Sequence, residues 1–450
     1  MGIRLGAVET VGAMTTHVWG AGLAGLSFLH HAAFDAEVWE QQSEVGGTVR
    51  AHGFQGAIFD HGPHISFTKS EEVRQLFRTA VQGDLIDRPV RTANWIDGGW
   101  VEHPVLRHLA QVEPRTARKI LADYLNAGMQ EKPAPANYAD WCRQNQGEYF
   151  ADEYTRRYTR KFWTVEPEEL TWQWAGARVS HPALDTVLDG LFNLPGQSGY
   201  YISTFRYPRV GGYGKFAEFH PTEDHRIHGG WTVTALDEED RWFDVVHTDG
   251  SKRRIAYTQV ASSLPLPELV RLAQHAPPAV KDAAQRLRAT SELFVNVVFP
   301  GEPQVPYDWI YVYDESILFL RATYMSAIAP SNSPAGMTAL QLEVPFSPSR
   351  PLPDAPEAIQ ERVIEQARTL GLIPQGAHVQ ADWMTLPYAY VIYDHARAAA
   401  VETVKTDFES RGIHPFGRYG SWAYLWSDQA VLSGKHLATQ WGGRSNGSFS

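Results

Sequence analysis

The chain has 450 residues, of which 43% are hydrophobic, and a formal net charge of −11 at pH 7. This length predicts two or three domains, and the apolar fraction is sufficient for a large buried core. The acidic balance argues against nucleic acid and anionic membranes as partners, and the single cysteine excludes disulfides, a dithiol redox pair and a cysteine-type zinc site.

The first predicted strand, residues 17–19, leads into a Gly-x-Gly-x-x-Gly turn that opens a helix. The glycines of this turn are Gly20, Gly22 and Gly25. In a dinucleotide site the first glycine makes the tight turn, the second admits the pyrophosphate, and the third lets the helix pack on the strand. A second predicted strand, residues 36–39, ends at Glu40, where an acid that binds the ribose is expected. The alternative is an ordinary glycine-rich loop beside a strand.

The middle of the chain changes its periodicity twice. Residues 71–150 are predicted to be mostly helical, with one strand-like insert at 95–101, and residues 181–200 are predicted to be a loop. Residues 223–262 alternate between apolar and polar and predict a β-meander, whose exit returns the chain to the first sheet. Residues 291–345 are rich in strand-forming residues and predict the sheet of a second, substrate-facing domain.

The C-terminal part predicts a strand and a tight turn over residues 412–418, which contain Gly417 and Arg418. A helix then starts at Asp428 and Gln429 and runs through residue 438, with Asp428 as its N-cap or first-turn acid. A helix that begins there can direct the positive end of its dipole at an anionic group.

A second glycine turn follows the ribose acid. It contains Gly46, Gly47 and, three residues later, Arg50. This segment resembles the large group of flavoproteins that use an FAD-binding Rossmann core, so we expect FAD rather than NAD. In that group the C-terminal helix directs its N-terminus at the flavin.

Two further patches resemble UDP-galactopyranose mutase and its relatives among protoporphyrinogen oxidase-like and amine oxidase-like flavoproteins. One contains Gly62 and His64, and the other contains Tyr158 and Trp163. The resemblance implies an α/β fold, with an FAD-binding Rossmann-type core and a discontinuous second α+β substrate domain. We expect the FAD-binding domain to comprise residues 15–70, 200–290 and 395–445, and the substrate or cap domain to comprise residues 71–199 and 291–394.

The resemblance also implies roles for single residues. Tyr158 and Trp163 would contact the nucleotide, Arg178 the diphosphate and Tyr200 the substrate. The other candidates for substrate binding are Arg206, Trp309, Tyr311, Arg321 and Tyr424, and the candidates for catalysis are His64, Arg178, Arg321 and Tyr424. The chain departs from the mutases at Trp309, which replaces a second diphosphate-binding arginine, and at Trp426, which stands near an expected aspartate. Arg321 is the candidate to supply the missing charge.

The family resemblance leaves three functions open. The first is a redox-neutral mutase that exchanges the pyranose and furanose rings of a nucleotide sugar through N5 of the reduced flavin, with an external reductant. The second is an FAD-dependent oxidase or dehydrogenase that acts on a small metabolite. The third is an FAD-binding homologue that has lost its chemistry. We expect no metal, because there is a single cysteine and no His-Glu-x-x-His spacing, and we expect a cytoplasmic protein. No apolar run is long enough to span a membrane, so we expect no membrane span.

Overall fold

The computed structural model describes residues 16–129, 131–179, 181–194, 202–221 and 223–445. In these segments the strands are β1 (Thr16–Trp19), β2 (Ala36–Glu40), β3 (Ala51–Phe54), β4 (Ala57–Asp60), β5 (Leu85–Pro89), β6 (Thr92–Ile96), β7 (Gly99–Glu102), β8 (Thr204–Pro208), β9 (Ile227–Gly229), β10 (Trp231–Asp237), β11 (Trp242–His247), β12 (Lys252–Ala256), β13 (Val260–Ser262), β14 (Ser291–Pro300), β15 (Trp309–Val312), β16 (Arg321–Tyr324), β17 (Met337–Phe346), β18 (Gln380–Leu386) and β19 (Ile413–Pro415).

The α-helices of the same segments are α1 (Leu23–His31), α2 (Glu71–Ala80), α3 (Pro114–Met129), α4 (Tyr138–Gln146), α5 (Glu148–Phe150), α6 (Arg156–Phe162), α7 (Leu184–Leu191), α8 (Leu266–Leu272), α9 (Pro278–Gln285), α10 (Met325–Ile328), α11 (Pro356–Thr369), α12 (Arg397–Ser410), α13 (Gly417–Gly420) and α14 (Ser427–Ser445). A π-helical turn, Ala151–Thr155, joins α5 to α6. The α/β class predicted from the sequence is confirmed.

A parallel sheet with strand order β19-β13-β1-β2-β9 forms the first layer of the described chain. β1 lies at its centre, between β13 and β2. Because parallel strands end at the same edge of a sheet, the glycine turn after β1 lies beside Glu40 at the end of β2. The antiparallel meander β10-β11-β12 precedes β13, so the predicted meander and its return to the first sheet are both confirmed.

The C-terminal helix α14 packs on α1, the helix of the glycine turn. A Cβ atom added at Gly434 would lie 2.1 Å from the carbonyl oxygen of Ala24, which shows how closely the two helices approach. The Ser27 hydroxyl donates to the Val431 carbonyl at 2.7 Å. The helix runs seven residues beyond its predicted end, because Trp441 in its last turns is buried against the same core.

A second, mixed sheet has the order β18-β14-β17-β16-β15-β6-β7 within the described residues. Side chains of a strand alternate between the two faces, and here the faces differ in polarity. One face is apolar and includes Leu293, Val295, Leu340 and Leu342; it packs on α11 through Ile359 and Val363 of that helix. The other face carries polar and aromatic side chains toward the first sheet; its members include Glu292, Phe294, Glu343, Arg321 and Tyr311. This second face becomes one wall of the cavity described below.

Two predictions from the sequence are wrong in part. The segment predicted as a loop contains α7, in which Val187 is fully buried and leucines repeat at helical spacing. The part of that loop at residues 195–200 lies outside the described residues. The strand-like insert at residues 95–101 is a hairpin, since β6 and β7 turn back at Asp97 and Gly98, both of which have positive φ.

We propose that the chain forms two discontinuous domains: an FAD-binding domain of residues 15–70, 200–290 and 395–445, and a substrate domain of residues 71–199 and 291–394. The seven strands of the mixed sheet come from residues 92–102 and 291–386, which belong to the two separate parts of the proposed substrate domain. The pairing of β5 with β8 joins the two proposed domains through an antiparallel ribbon.

Candidate active site

A cavity of about 730 Å³ lies between the parallel sheet and the polar face of the mixed sheet. This volume is in the upper part of the range usual for ligand sites. Among its lining residues are the following sequence candidates: Gly20, Gly22, Glu40, Gly46, Gly47, Arg50, Gly62, His64, Tyr158, Trp163, Arg178, Trp309, Tyr311, Arg321, Arg418 and Tyr424. The glycines and Glu40 lie at one end, which we call the dinucleotide end. The aromatic candidates lie at the other, which we call the aromatic end.

The three glycines of the first turn serve different purposes. Gly20 has a φ of 94°, and a Cβ atom there would lie 2.4 Å from Oγ of Ser263. A Cβ atom at Gly25 would lie 1.9 Å from the carbonyl oxygen of Gly20, so only glycine lets α1 pack on the turn. Gly22 differs: its added Cβ atom meets only Cα of Gly47, at 3.8 Å. Its backbone faces open space in the cavity, where a ligand can approach closely.

The backbone of the second glycine turn packs directly on the backbone of the first. The backbone N–H of Gly46 donates to the carbonyl of Ala21 at 2.8 Å, and Gly46 and Gly47 both have positive φ. A Cβ atom at Gly47 would come within 3.0 Å of Cα of Gly22. Nε of Arg50 donates to the Gly47 carbonyl at 3.1 Å and fixes the exit of the turn. The two backbones together form a cradle at the N-terminus of α1.

Glu40 organises the rim of this cradle. One carboxylate oxygen accepts from the N–H of Ala21 at 2.7 Å, and the other accepts from the N–H of Gln42 at 2.9 Å. Each oxygen of a carboxylate can accept a second hydrogen bond, which leaves capacity for ribose hydroxyls. The cradle, the helix N-terminus and this acid are the parts that a bound dinucleotide requires, so the residues present fit FAD.

The start of α14 lies at the cavity, which is lined by Ser427 and Ala430 of this helix. Asp428 is in the first helical turn, as predicted, and its carboxylate accepts from the Thr68 hydroxyl at 2.7 Å. The side-chain oxygen of Gln429 accepts from the backbone N–H of Trp426 at 2.9 Å. Neither side chain lines the cavity. Gly417 does not line it either; its φ is 70°, and an added Cβ atom would lie 2.8 Å from Cβ of Ala24.

His64 is neutral at pH 7. Burial is the main cause that lowers its pKa to about 4. The charge of Arg418 also lowers the pKa, whereas the hydrogen bond with the Gly62 carbonyl raises it. Nδ1 of the ring lies 2.9 Å from that carbonyl oxygen. Since a carbonyl only accepts, we assign the ring proton to Nδ1, and Nε2 is then a hydrogen-bond acceptor. The ring stacks on Tyr213, with centroids 5.4 Å apart.

Aromatic rings form the walls of the aromatic end. Tyr158 stacks on Phe162 with ring centroids 5.5 Å apart, and Trp163 meets Tyr424 edge to face at 5.6 Å. Tyr311 completes this wall from the mixed sheet, 5.9 Å from Tyr158. The structure thus brings together the aromatic candidates that the sequence places more than 250 residues apart.

The candidate arginines differ in their surroundings. Arg178 lies over the rings of Trp426 and Tyr424, at 4.1 and 4.5 Å from their centroids, and it also donates to the carbonyl of Tyr424. Arg418 donates to the carbonyl of Ala389 at 2.8 Å and lies 5.1 Å from the centroid of Tyr424. Both guanidinium groups are therefore held in fixed positions at the cavity wall.

Arg321 is forked to a carboxylate that the sequence analysis did not single out. Its Nε and one terminal nitrogen donate to the two oxygens of Glu343, at 2.6 and 2.7 Å. Burial would lower the pKa of Arg321, but the charge of Glu343 raises it well above its ordinary value. Arg321 lines the cavity as a matched ion pair, so the expectation that it supplies the charge missing at Trp309 is not supported.

Two candidates are not brought to the cavity. Arg206 does not line it and instead donates to Asp87 at 2.9 Å, across the β5–β8 ribbon, where the two residues are direct register partners. This placement argues against a substrate contact by Arg206. Tyr200 lies outside the described residues.

Several lining residues were not singled out by the sequence analysis, among them Glu292, Glu343 and Tyr390, and Trp426 was not expected to line the cavity. A signal for the two glutamates was present. Glu292 alternates with the apolar Leu293 and Val295, and Glu343 follows Gln341 at a spacing of two. A strand with one polar and one apolar buried face shows this pattern.

The dinucleotide cradle and the cavity beside it define an FAD-dependent flavoenzyme. The chain belongs to the family described as flavin containing amine oxidoreductase, whose family model matches residues 21–441. FAD as the predicted cofactor, and the predicted flavoprotein superfamily, are thereby confirmed.

Solved structures show the same fold at low sequence identity. A reduced UDP-galactopyranose mutase superposes with a TM-score of 0.88 and 21% identity, covering 97% of this chain and 95% of the other. A protein of Exiguobacterium sp. 255-15 assigned as a protoporphyrinogen oxidase has a TM-score of 0.73 and 15% identity, with 97% and 100% covered. Cyclohexylamine oxidase from Brevibacterium oxydans IH-35A has a TM-score of 0.65 and 13% identity, with 96% and 99% covered.

The described residues contain neither a candidate membrane span nor a candidate metal site. Within those segments no helix has the length and apolar character needed to cross a bilayer. In the same part of the chain, no group of three or more His, Cys, Asp or Glu side chains is arranged to hold a metal ion.

Proposed function

We propose that the protein is an FAD-dependent enzyme that isomerises the sugar ring of a nucleoside diphosphate sugar, exchanging pyranose and furanose forms without net oxidation. When bound, FAD in its reduced form supplies an electron pair for this rearrangement and is returned unchanged, so an external reductant only prepares the enzyme. The observation that carries the proposal is Arg178, a guanidinium that lies over the rings of Trp426 and Tyr424, 4.1 and 4.5 Å from their centroids, at the wall of the aromatic end.

A diphosphate needs a cation at contact distance in this protein. The net charge of −11 repels a dianionic ligand at long range, so attraction has to come from local groups. A guanidinium can bind two phosphate oxygens at once, and stacking on aromatic rings fixes its plane before the ligand arrives. Arg178 has this arrangement and lies beside the aromatic wall.

The aromatic end supplies surfaces and one donor for the rest of the ligand. Tyr158, Phe162 and Trp163 offer ring faces and edges on which a base or a sugar can pack. Nε1 of Trp309 is buried and has no hydrogen-bond partner among the described residues. A buried donor without a partner costs free energy, which a hydroxyl or phosphate oxygen of the ligand would recover.

The test is calorimetric titration of the holoenzyme with uridine and thymidine diphosphates. Each charge-assisted contact is worth about 1.5–3 kcal/mol, so Arg178→Ala should weaken binding about ten- to a hundredfold. Arg178→Lys should recover only part of the loss, because an ammonium lacks the fork. Arg206→Ala is the matched control: the side chain pairs with Asp87 outside the cavity, and its loss should leave the affinity unchanged.

Two results would count against this proposal. If the wild-type holoenzyme binds neither of these nor any other nucleoside diphosphate, the proposed substrate class is wrong. If Arg206→Ala weakens binding while Arg178→Ala does not, the diphosphate site lies on the β5–β8 ribbon instead.

The second candidate function is an oxidase or dehydrogenase of a small metabolite. The observation in its favour is the Arg321–Glu343 pair, which cancels one of the cavity's positive charges beside the aromatic side chains Tyr311 and Tyr390. An oxidase hands electrons to oxygen, so an aerobic peroxide assay with small primary amines and with nucleotide sugars separates it from an isomerase.

A further inference from the structure

We propose that Glu292 is a catalytic residue of the aromatic end, which gives a proton to the ring oxygen of the bound sugar and takes one back from the hydroxyl that closes the new ring. This inference rests on the proposed function for the identity of its substrate. Glu292 lies outside the motifs that carry the family resemblance, and its role is inferred from the position and surroundings of its side chain.

Glu292 is a buried carboxyl group without a partner. It lies near the start of β14, lines the cavity and is 2% exposed. Neither of its carboxyl oxygens has a hydrogen-bond partner among the described residues. Other carboxyl groups of this region are satisfied: Glu343, for example, accepts two hydrogen bonds from Arg321. A buried carboxyl group without hydrogen bonds costs free energy, and a ligand in the cavity can recover that cost by forming a hydrogen bond with it.

The groups that face Glu292 come from three elements. Glu343 on β17 and Arg321 on β16 form the ion pair described above. Tyr390 lies in the segment after β18, and Cζ of Arg418 is 5.4 Å from the centroid of its ring. Burial, followed by the negative charge of Glu343, raises the pKa of Glu292 well above its ordinary value, against the opposing effect of Arg321. Glu292 is therefore held as the neutral acid, which can donate a proton.

The Glu292 carboxyl group alone can both supply and take back the proton that the isomerisation requires. When the bond between the anomeric carbon and the ring oxygen breaks, its electron pair stays on the oxygen, which takes the proton of Glu292. The anomeric carbon is then one electron pair short until the new bond forms, and the reduced cofactor would supply that pair. When another hydroxyl of the sugar attacks the anomeric carbon, its oxygen forms the new bond and its proton returns to the Glu292 carboxylate. No proton and no electron is consumed overall. Arg321 stands close enough to stabilise the carboxylate while it exists.

The first experiment measures the protonation state directly. We expect the infrared difference spectrum between wild-type and Glu292→Gln holoenzymes at pH 7 to contain the C=O band of a protonated carboxyl group. Asp60, whose pKa burial raises to about 7, is common to both proteins and cancels. Glu302→Gln makes the same change at an exposed position just beyond the end of β14 and should produce no such band. Absence of the band from the wild-type difference spectrum overturns the proposal.

The second experiment measures turnover of a nucleotide sugar. General acid–base groups contribute about 10²–10⁴-fold, so Glu292→Gln should lower kcat by about that factor while the affinity for uridine diphosphate stays unchanged. Glu292→Asp should restore part of the activity, and wild-type kcat should fall as alkaline pH ionises the acid. Wild-type kcat and pH profile in Glu292→Gln would overturn the proposal.

The two experiments separate this inference from the proposed function. A wild-type enzyme that binds no nucleoside diphosphate refutes the proposed function, and the infrared band still reports on Glu292. Should a small primary amine such as butylamine abolish the band, Glu292 is the counter-ion of a cationic substrate, and the proposal falls in favour of an amine site.

Discussion

Gly22 and Gly25 are only three residues apart in sequence, but their substitution should have different effects: alanine at Gly22 should weaken cofactor binding, and alanine at Gly25 should damage the fold. Gly22 has φ −75° and ψ −179°, which alanine adopts without strain, and the added Cβ atom would have 3.8 Å to its nearest neighbour. Alanine is a poorer N-cap than glycine by about 0.5–1 kcal/mol, and it restricts the unfolded chain by about 0.4–1 kcal/mol. These effects cancel, so the apoprotein of Gly22→Ala should be as stable as wild type.

FAD affinity should nevertheless fall in Gly22→Ala. The methyl group occupies the space in which the pyrophosphate approaches the backbone, and the loss of one charge-assisted hydrogen bond of about 1.5–3 kcal/mol corresponds to about a ten- to hundredfold weaker complex. Gly25→Ala acts on the fold instead. Its Cβ atom lies 1.9 Å from the Gly20 carbonyl oxygen, and relieving that overlap should cost about 1–3 kcal/mol or more.

The assay combines FAD titration of the apoprotein with urea unfolding. Gly53→Ala serves as the control, because a Cβ atom added there has nothing within 4 Å. Wild-type FAD affinity in Gly22→Ala would refute the placement of the pyrophosphate, and wild-type stability in Gly25→Ala would refute the packing of α1 on the turn.

Two further predictions concern buried charges. Arg321→Ala leaves Glu343 buried without its partner, so we expect a loss of about 3–5 kcal/mol in the free energy of unfolding, measured in urea. The loss should be smaller in Arg321→Ala/Glu343→Gln, which also removes the unpaired charge; equal losses in the two variants would show that this charge is not the cause. Asp60 is fully buried and its pKa is raised from an ordinary 3.8 to about 7, so the stability it contributes is complete below pH 4 and is lost as the pH rises through 7. In Asp60→Asn that part of the pH dependence should disappear; an unchanged stability profile between pH 4 and 8 would contradict the assignment.

The parts of the site that sequence reasoning located are those whose constraints are local. The glycine turn after β1 is fixed by steric contacts among residues within a few positions of each other, such as Gly20 and Gly25. The first-turn position of Asp428 likewise depends only on where α14 begins. Such constraints are written in short patterns, so a single sequence reveals them.

The remaining parts depend on pairing between distant segments. Glu343 meets Arg321 because β17 and β16 pair in a register that sets these two residues opposite each other, and no short pattern specifies that register. The pairing of Arg206 with Asp87 also depends on strand register, because Asp87 lies on β5, far away in sequence, and no short pattern shows it. Helix α7 was missed because the turn-forming residues on either side of it outweighed a short leucine repeat.

Isomerisation without net oxidation can be tested by anaerobic turnover of nucleotide sugars with the reduced holoenzyme, in which the reducing equivalents are counted. The proposed function predicts many product molecules per flavin with no reductant consumed beyond the initial reduction, and no peroxide when air is admitted with substrate. Peroxide formed in step with substrate loss, and no ring-isomerised product under anaerobic conditions, would contradict it.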